Sequence, residues 1–554
     1  MTATAPPIAA ALVTRVLDSF LREDVRGLRS TAEFVPAGPD GEPWLRYRTA
    51  DAHLLLPVRR GGFLADLTVR GPVVLRRGPQ GDAVLHDLDE ILDALTPAGD
   101  PDAEAGFADF RAECRQALAE TVLLAEHRAG VLGRLDRAPR TGLAGSLRYE
   151  ALAAHADHPV YPTSRCRFGL DARDLLRYAP EYAPSFRLTW VAVPRDALHV
   201  TGRLPTLWPS CAEVGLPALD GTHLAMPVHP LTPVVGGVPA PWPHLRVTPT
   251  LSMRTVAVQD DPTVHLKLPL PTSTLGRRNR RALEPGSLAD GAAVHRVLRG
   301  VLAREPALAR KVLLADEGTY VHAGDPLLAA LVRRYPPGLD DALVVPLAAL
   351  TAPAPDGRLV VEELAGGDVV GLLDTVFRVL FEWTATLWLR YGIALEAHQQ
   401  NVSLVLGPGG VRLLVKDNDG ARIDPTVLRL PVDVTDERML VRDPGELADV
   451  VATITLHLCA AAIVEGVAAR GLASRDELLR LVRRRLEDAL APHESTRDFG
   501  LARAHLLDSP RLPVKTMVTA GTLLPKHRTG ARDINKHYGA TAPNYLCRPS
   551  LLPQ

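Results

Sequence analysis

Apolar residues recur at helical spacing over residues 8–23, where Ala11-Leu12-Val13, Val16-Leu17 and Phe20-Leu21 share one face. From 44 to 88 the repeat shortens. Trp44 to Tyr47, Ala50 to Val58 and Val73 to Leu75 read as strands, punctuated by Gly61-Gly62 and Gly71-Pro72. Residues 102–134 return to a helical repeat, with Leu118, Val122, Leu123 and Leu124 on its apolar face. The text from 146 to 345 is irregular and rich in proline. It carries strand-like pieces at Phe186 to Val193, His223 to Val228, Leu245 to Leu251 and Thr263 to Leu270, and helical ones at 289–303 and 326–334.

Long apolar helices dominate from 359 onward: Val369 to Tyr391, Leu447 to Ala469 and Arg475 to Leu490. Between the first two, Val402 to Val415 reads as a hairpin turning at Gly407-Pro408-Gly409-Gly410. The longest apolar run, Val450 to Val464, contains His457 and ends at Glu465. It is shorter than the ~20 residues of a membrane span and is expected to be a buried core helix. Segments 95–103 and 334–356 read as linkers. The pattern predicts an α+β, multi-domain chain divided at 1–145, 146–345 and 346–554, with a helix-rich C-terminal half.

Composition narrows the function. The 554 residues include 63 basic and 64 acidic side chains, for a net charge of −1. That balance exerts no general pull on nucleic acid or an anionic membrane, so a charged ligand needs a local cluster. The five cysteines lie far apart and form no C-x-x-C pair, which argues against a disulfide framework or zinc knuckle. Met1 to Ala11 lacks a basic start, so no secretory leader is expected and the cytoplasm is the expected compartment. Only six of the basic residues are lysines: Lys267, Lys311, Lys416, Lys515, Lys526 and Lys536. Lysine that persists against an arginine bias points to sites needing a compact ammonium.

The chain has no G-x-x-x-x-G-K-[ST] loop, no G-x-G-x-x-G and no H-E-x-x-H. Its densest polar constellation is Glu396-Ala397-His398-Gln399-Gln400-Asn401, followed by Lys416-Asp417-Asn418-Asp419-Gly420. The intervening hairpin would bring Asn401 beside Asp417, and such oxygen ligands suit Mg²⁺ shared with phosphates. The plainer alternative is a polar turn held by local backbone bonds. A second constellation is Ser252-Met253-Arg254-Thr255, then Lys267, then Thr272-Ser273-Thr274-Leu275-Gly276-Arg277-Arg278. Hydroxyls beside arginines and a strand lysine make a polyphosphate site without a glycine-rich loop. Arg278, Arg280 and Arg281 read as a solvated basic loop. A third segment, His158-Pro159-Val160-Tyr161-Pro162-Thr163-Ser164-Arg165-Cys166-Arg167-Phe168-Gly169, could present His158, Thr163, Ser164 and Arg165 to an anion; a structural turn is the alternative. Pro227-Val228-His229-Pro230 reads as structural. Leu512 to Leu524 is apolar enough to tuck the basic C-terminal stretch into a core.

In this order, with Tyr178-Ala179-Pro180-Glu181, these segments resemble the NIS synthetases, the siderophore synthetases independent of non-ribosomal peptide synthetases, of the aerobactin-synthetase type. That family shows H-P-x-H-P-x-x-K-x-R-x-G, Y-A-P-E, P-V-H-P, S-x-R-T, a K-L strand leading to a T-S turn with Arg, E-A-H-x-Q-N and R-D-x-x-G. The resemblance spans roughly residues 146–540. Here Tyr161 replaces the second histidine of the first motif, Arg165 replaces its lysine, and Lys416 replaces the arginine before the aspartate.

The resemblance implies a cupped-hand fold of thumb, fingers and palm, using ATP and Mg²⁺. It implies that Ser252, Arg254, Thr255, Lys267, Gln400 and Asp417 hold ATP, with His158, Thr163, Ser164 and Arg165 at the phosphates. Asn401, Asp417 and Glu396 would bind the metal. Arg277, His398 and Lys515 would face a polycarboxylate substrate, with His398, Arg277 and Lys267 catalytic and His398 the candidate for proton handling. An amine, hydroxylamine or hydroxyl nucleophile would complete an acid–amine or acid–alcohol ligation, and a homodimer is a family expectation. The alternatives are a kinase-like phosphotransferase and a catalytically degenerate scaffold, the latter prompted by Tyr161 and Arg165.

Overall fold

The computed structural model describes residues 5–79 and 81–547. Of the N-terminal stretch read for a leader, Met1 to Thr4 lie outside the described residues. The first helix, Ala5–Glu23, packs Val16, Leu17, Phe20 and Leu21 into a core with Leu54, Leu56 and Val58 of an antiparallel six-stranded sheet. The long helix Pro101–Asp136 starts with Pro101 at its first position and the Asp100 carboxylate accepting from the Ala103 amide, a helix-initiating pair. Its buried face is rotated from the expected one. Phe107, Phe110, Cys114, Ala117 and Leu124 point inward, together with Glu113 and Glu120, while Leu118, Val122 and Leu123 are half-buried. Val514, Met517, Val518 and Leu523 return from the far end of the chain to complete this core, as the apolar Leu512 to Leu524 run requires.

A nine-stranded sheet occupies the middle of the chain. At its centre Val264–Lys267 pairs antiparallel with Thr255–Val258 on one side and Ala329–Arg334 on the other. Residues 326–334 were expected to be helical, and Ala329–Arg334 is a strand instead. Ala329 to Arg333 are all buried, so both faces are apolar and the alternation that marks a half-buried strand is missing.

The hairpin forms with Val402 opposite Val415 and Gly407 opposite Gly410. Leu343–Pro346 adds to it antiparallel on one side and Val312–Leu314 adds parallel on the other. The 334–356 segment is therefore no linker: it supplies a strand, and Leu347, Ala349 and Leu350 are fully buried. The helices Val369–Tyr391 and Arg475–Leu490 occupy the expected limits. The apolar run Val450 to Val464 lies within the helix Pro444–Ala469, 94% buried over its most apolar window, with a π-helical stretch over Val451–Ala461.

Candidate active site

Lys267 closes the strand Val264–Lys267, where the register sets it opposite Thr255. Its ammonium is buried and donates to Asp417 Oδ1 at 2.5 Å and to Asp419 Oδ2 at 3.0 Å. The two aspartates arrive on the loop leaving the hairpin, where Asp417 takes a left-handed φ of 68°. Glu317 holds this loop by accepting from the Asp417 amide at 2.9 Å and the Asn418 amide at 3.2 Å. Glu317 also takes Arg333 Nε at 2.5 Å, and Arg333 Nη2 lies 3.5 Å from Asp417 Oδ1. A buried carboxylate is stable only when so paired.

The Ser252–Thr255 turn is drawn tight by its own hydroxyls: Ser252 Oγ accepts from the Thr255 amide at 3.1 Å, and Thr250 Oγ1 donates to the Thr255 carbonyl at 2.9 Å. Arg254 Nη1 donates to the Ala282 carbonyl at 2.9 Å. This contact brings in Arg281, which was read as solvated. Burial and the charge of Arg254 lower its pKa to about 9, and Nε donates to Thr274 Oγ1 at 2.6 Å. Arg280 is exposed, as expected, and Arg278 is tied to the Thr522 carbonyl at 2.7 Å.

The charges divide the two aspartates. Burial opposes ionisation of Asp417, but Lys267, Arg333 and Arg254 overcome it and hold the carboxyl far below its usual range. Asp419 is pushed up by burial and by Asp417 itself, so it is the weaker acid of the pair. Burial would discharge Lys267, yet the two carboxylates keep its pKa raised.

The signature turn forms the neighbouring wall. Lys416 N donates to the Asn401 carbonyl at 3.0 Å, so the hairpin brings Asn401 against the residue before Asp417. Asn401 Nδ2 donates to the Glu396 carbonyl at 3.1 Å, while the Glu396 carboxylate pairs with Lys536. Gln400 N donates to His398 Nδ1 at 3.3 Å. Burial, with Lys515 adding to it, takes His398 down to about 4. His398 is therefore neutral near pH 7, against the expectation that it handles protons there. Lys515, lowered to about 8 by burial with Lys536 adding to it, is the group of this wall nearest neutrality. His158 is held neutral by burial and by the charge of Lys515, and its Nδ1 accepts from the Tyr161 amide at 3.0 Å.

Three expected phosphate contacts point elsewhere. Arg165 donates to the Ala154 and His155 carbonyls at 3.0 and 2.9 Å and pairs with Asp157. Thr163 Oγ1 donates to Glu113 at 2.6 Å, and Ser164 Oγ accepts from the His158 amide at 3.2 Å. The structure thus uses these side chains to build their loop and does not join them to the Lys267 cluster. Arg277 is exposed, with its guanidinium 4.8 Å over the Phe168 ring. Asp419, Glu317, Arg333, Arg281 and Lys536 were absent from the expected site. Asp419 had a signal, two residues beyond Asp417, and Lys536 had one in the scarcity of lysine; the others meet the site only through long-range pairing.

Among the described residues no three His, Cys, Asp or Glu side chains gather closely enough to hold a metal by themselves. The oxygens nevertheless suit Mg²⁺, which takes one or two carboxylates and leaves positions for phosphate and water. Asn418 Oδ1, between the two aspartates in sequence, is buried without a hydrogen bond, an acceptor open to a cation or water.

The comparisons agree with this architecture. The IucA/IucC family model matches residues 146–232 and 238–352, and a model described as ferric iron reductase FhuF-like transporter matches 372–533. The second segment contains a single cysteine, the buried Cys459, whereas thiolate-held iron–sulfur clusters use about four. Staphyloferrin A synthase of Staphylococcus aureus is 23% identical over 404 residues, covering 63% of this chain and 68% of its own length. The petrobactin biosynthesis protein AsbB of Bacillus anthracis superposes with a TM-score of 0.79 at 16% identity, over 98% of this chain and 95% of AsbB. The ATP-bound aerobactin synthetase IucA of Klebsiella pneumoniae gives 0.68 at 17% identity, over 97% and 99% of the two chains. The chain is thus similar to IucA/IucC-type synthetases over residues 146–232 and 238–352, and its mixed helix-and-sheet fold is the one that AsbB and IucA share.

Proposed function

We propose that this chain is an ATP-dependent ligase of siderophore biosynthesis, acting in the cytoplasm, that adenylates a carboxylate and joins it to an amine or hydroxyl. The observation that carries this reading is Lys267 bridging Asp417 and Asp419 beside Arg254 and Arg281, a largely buried cluster of three cations around two carboxylates. The synthetase relatives and the ATP-bound neighbour support it. The carboxylate would be citrate or a citryl or succinyl derivative.

In this reading a substrate carboxylate oxygen attacks the α-phosphorus of ATP, and the bond to pyrophosphate breaks. Arg254, Lys267 and Arg281 neutralise the charge that develops on the phosphates. Asp417, Asn401 and Glu396, with Asp419 added by the structure, are the oxygen donors for Mg²⁺, which supplies further charge neutralisation when bound. Arg277 and Lys515 hold the carboxylate substrate, and neutral His398 donates or accepts a hydrogen bond. The nucleophile then attacks the acyl carbon, AMP departs and a proton is released. Positioning accounts for most of the acceleration.

Hydroxylamine trapping with pyrophosphate detection over citrate, succinyl and 2-oxoglutarate carboxylates tests the reading. A hydroxamate with matching pyrophosphate is expected for at least one carboxylate. ATP binding without pyrophosphate from any of them refutes the ligase, and ADP as the product assigns a phosphotransferase instead.

A further inference from the structure

One buried carboxylate ties together the turn that carries Arg277 and the loop that carries His158. Glu113, in the middle of the helix Pro101–Asp136, is fully buried. Its Oε1 accepts from Tyr161 Oη at 2.8 Å and from Thr163 Oγ1 at 2.6 Å. Its Oε2 accepts from Thr522 Oγ1 at 2.8 Å. Thr522 Oγ1 in turn accepts from the Arg277 amide at 3.0 Å and lies 3.4 Å from Tyr161 Oη, so one hydroxyl joins the carboxylate to the Arg277 backbone. Burial raises the pKa of Glu113 while the three hydroxyls lower it.

The surroundings leave this network little play. A Cβ on Gly106 would meet the Leu523 carbonyl oxygen at 1.8 Å, so the helix lies directly on the segment that carries Thr522. A Cβ on Gly276 would meet Gly521 Cα at 2.8 Å, and Leu275 and Gly276 take left-handed φ angles of 56° and 117°. The turn presenting Arg277 is thus pressed backbone to backbone against residue 521 and pinned by Thr522. On the other side, Tyr161 and Thr163 anchor the loop whose His158 lies in the field of Lys515 and His398. The Tyr161 that departs from the family's histidine is the residue that reaches Glu113.

We propose that Glu113 is a positioning residue for the ligase reaction: through Thr522 it sets the Arg277 turn, and through Tyr161 and Thr163 it sets the His158 loop, holding both in one register around the carboxylate substrate. This rests on the function proposed above. The Lys267–Asp417 cluster contains no member of the network, Thr163 is turned to Glu113, and His158 lies in the field of Lys515 and His398, so the ATP contacts of the Lys267 cluster are separable from it.

The test combines amide hydrogen exchange and kinetics on the full chain carrying Glu113→Gln, with Thr522→Val as a second variant. In E113Q, exchange should quicken about tenfold, the equivalent of one lost hydrogen bond, in peptides covering both 158–165 and 275–279, while Val264–Lys267 is unchanged. In pyrophosphate release the carboxylate KM should rise about tenfold and the ATP KM stay within about twofold. T522V should loosen 275–279 far more than 158–165, which Thr522 meets only through the long 3.4 Å contact with Tyr161 Oη. Exchange that stays at parent rates in both loops overturns the proposal. So does a uniform rise that includes Val264–Lys267, or loss of kcat in step with folded fraction at unchanged carboxylate KM. Absence of pyrophosphate from the unaltered chain refutes the ligase reading, and the exchange measurement then decides the role of Glu113 alone. If E113Q does not fold, the exchange pattern of T522V decides.

Discussion

Lys416 Nζ sits 2.9 Å from Glu150 Oε1, in an ion pair whose two side chains are 6% and 5% exposed. The lysine thus turns its side chain away from Asp417, its neighbour in sequence, and into the core. Glu150 also accepts from the Leu251 amide at 3.0 Å, which anchors the entrance to the Ser252–Thr255 turn. Replacing one partner of such a pair strands the other charge in the core. Lys416→Met should therefore destabilise the protein by about 3–5 kcal/mol in urea denaturation. ATP affinity per folded molecule should persist. A stability matching the parent chain would show that the pair contributes nothing net.

Lys267 is the reverse case, with a charge placed for a ligand as well as for the fold. Removing it in Lys267→Ala leaves Asp417 and Asp419 facing each other without their shared cation. Pyrophosphate release should fall by roughly 10²–10³-fold in kcat/KM, the usual loss when one preorganised charge is deleted from a transition-state site. Lys267→Arg should recover only part of it, because a planar fork cannot bridge two carboxylates as a compact ammonium does. Steady-state kinetics on both variants measures the difference, and an arginine variant as active as the parent would contradict the argument.

Several of these features were legible from the sequence for local reasons. The helix Val369–Tyr391 is bounded by the Asp368 side chain, which accepts from the Gly371 amide, and by Gly392 at a φ of 64°. The hairpin was legible from its glycine turn, and the scarcity of lysine singled out Lys267. The strand Ala329–Arg334 was not legible, because burial on both faces erases its alternation. Arg281 looked like part of a solvated basic run because its field comes from Arg254, a neighbour in space. Glu317 and Arg333 carried no signal, since Glu317 meets the aspartate loop from 100 residues away in sequence and Arg333 meets it only through the same long-range pairing.

The wall formed by Glu396, His398 and Lys515 makes a pH prediction with a definite sign. Lys515 is cationic below its pKa of about 8 and neutral above it. If it holds the carboxylate substrate, the KM for that substrate is lowest below this pH. It rises above, approaching about tenfold per pH unit once the lysine is mostly discharged. Lys515→Met should raise the KM at pH 7 and flatten the alkaline limb. His398, lowered to about 4, should contribute no limb near pH 6.5. A KM profile for the parent chain that is flat from pH 7 to 10 would remove Lys515 from substrate binding.

Glu317 offers the sharpest separation of scaffold from chemistry, because it touches the aspartate loop only from behind. It is 2% exposed, accepts from the amides of Asp417 and Asn418, and neutralises Arg333. In Glu317→Gln the side chain keeps its shape but loses its charge. Arg333 then has Asp417 as its remaining anionic partner, at 3.5 Å, and should move onto it. Asp417 would be drawn from Lys267 and made a poorer oxygen donor for a divalent cation. The Mg²⁺ concentration for half-maximal turnover should rise about tenfold, with about 3–5 kcal/mol lost in urea denaturation from the uncompensated buried guanidinium. A Mg²⁺ titration of pyrophosphate release, run beside the denaturation curve, reads both effects. A stability loss with an unchanged Mg²⁺ requirement would mean that the loop keeps its geometry without Glu317, and that Asp417 is aimed by Lys267 alone.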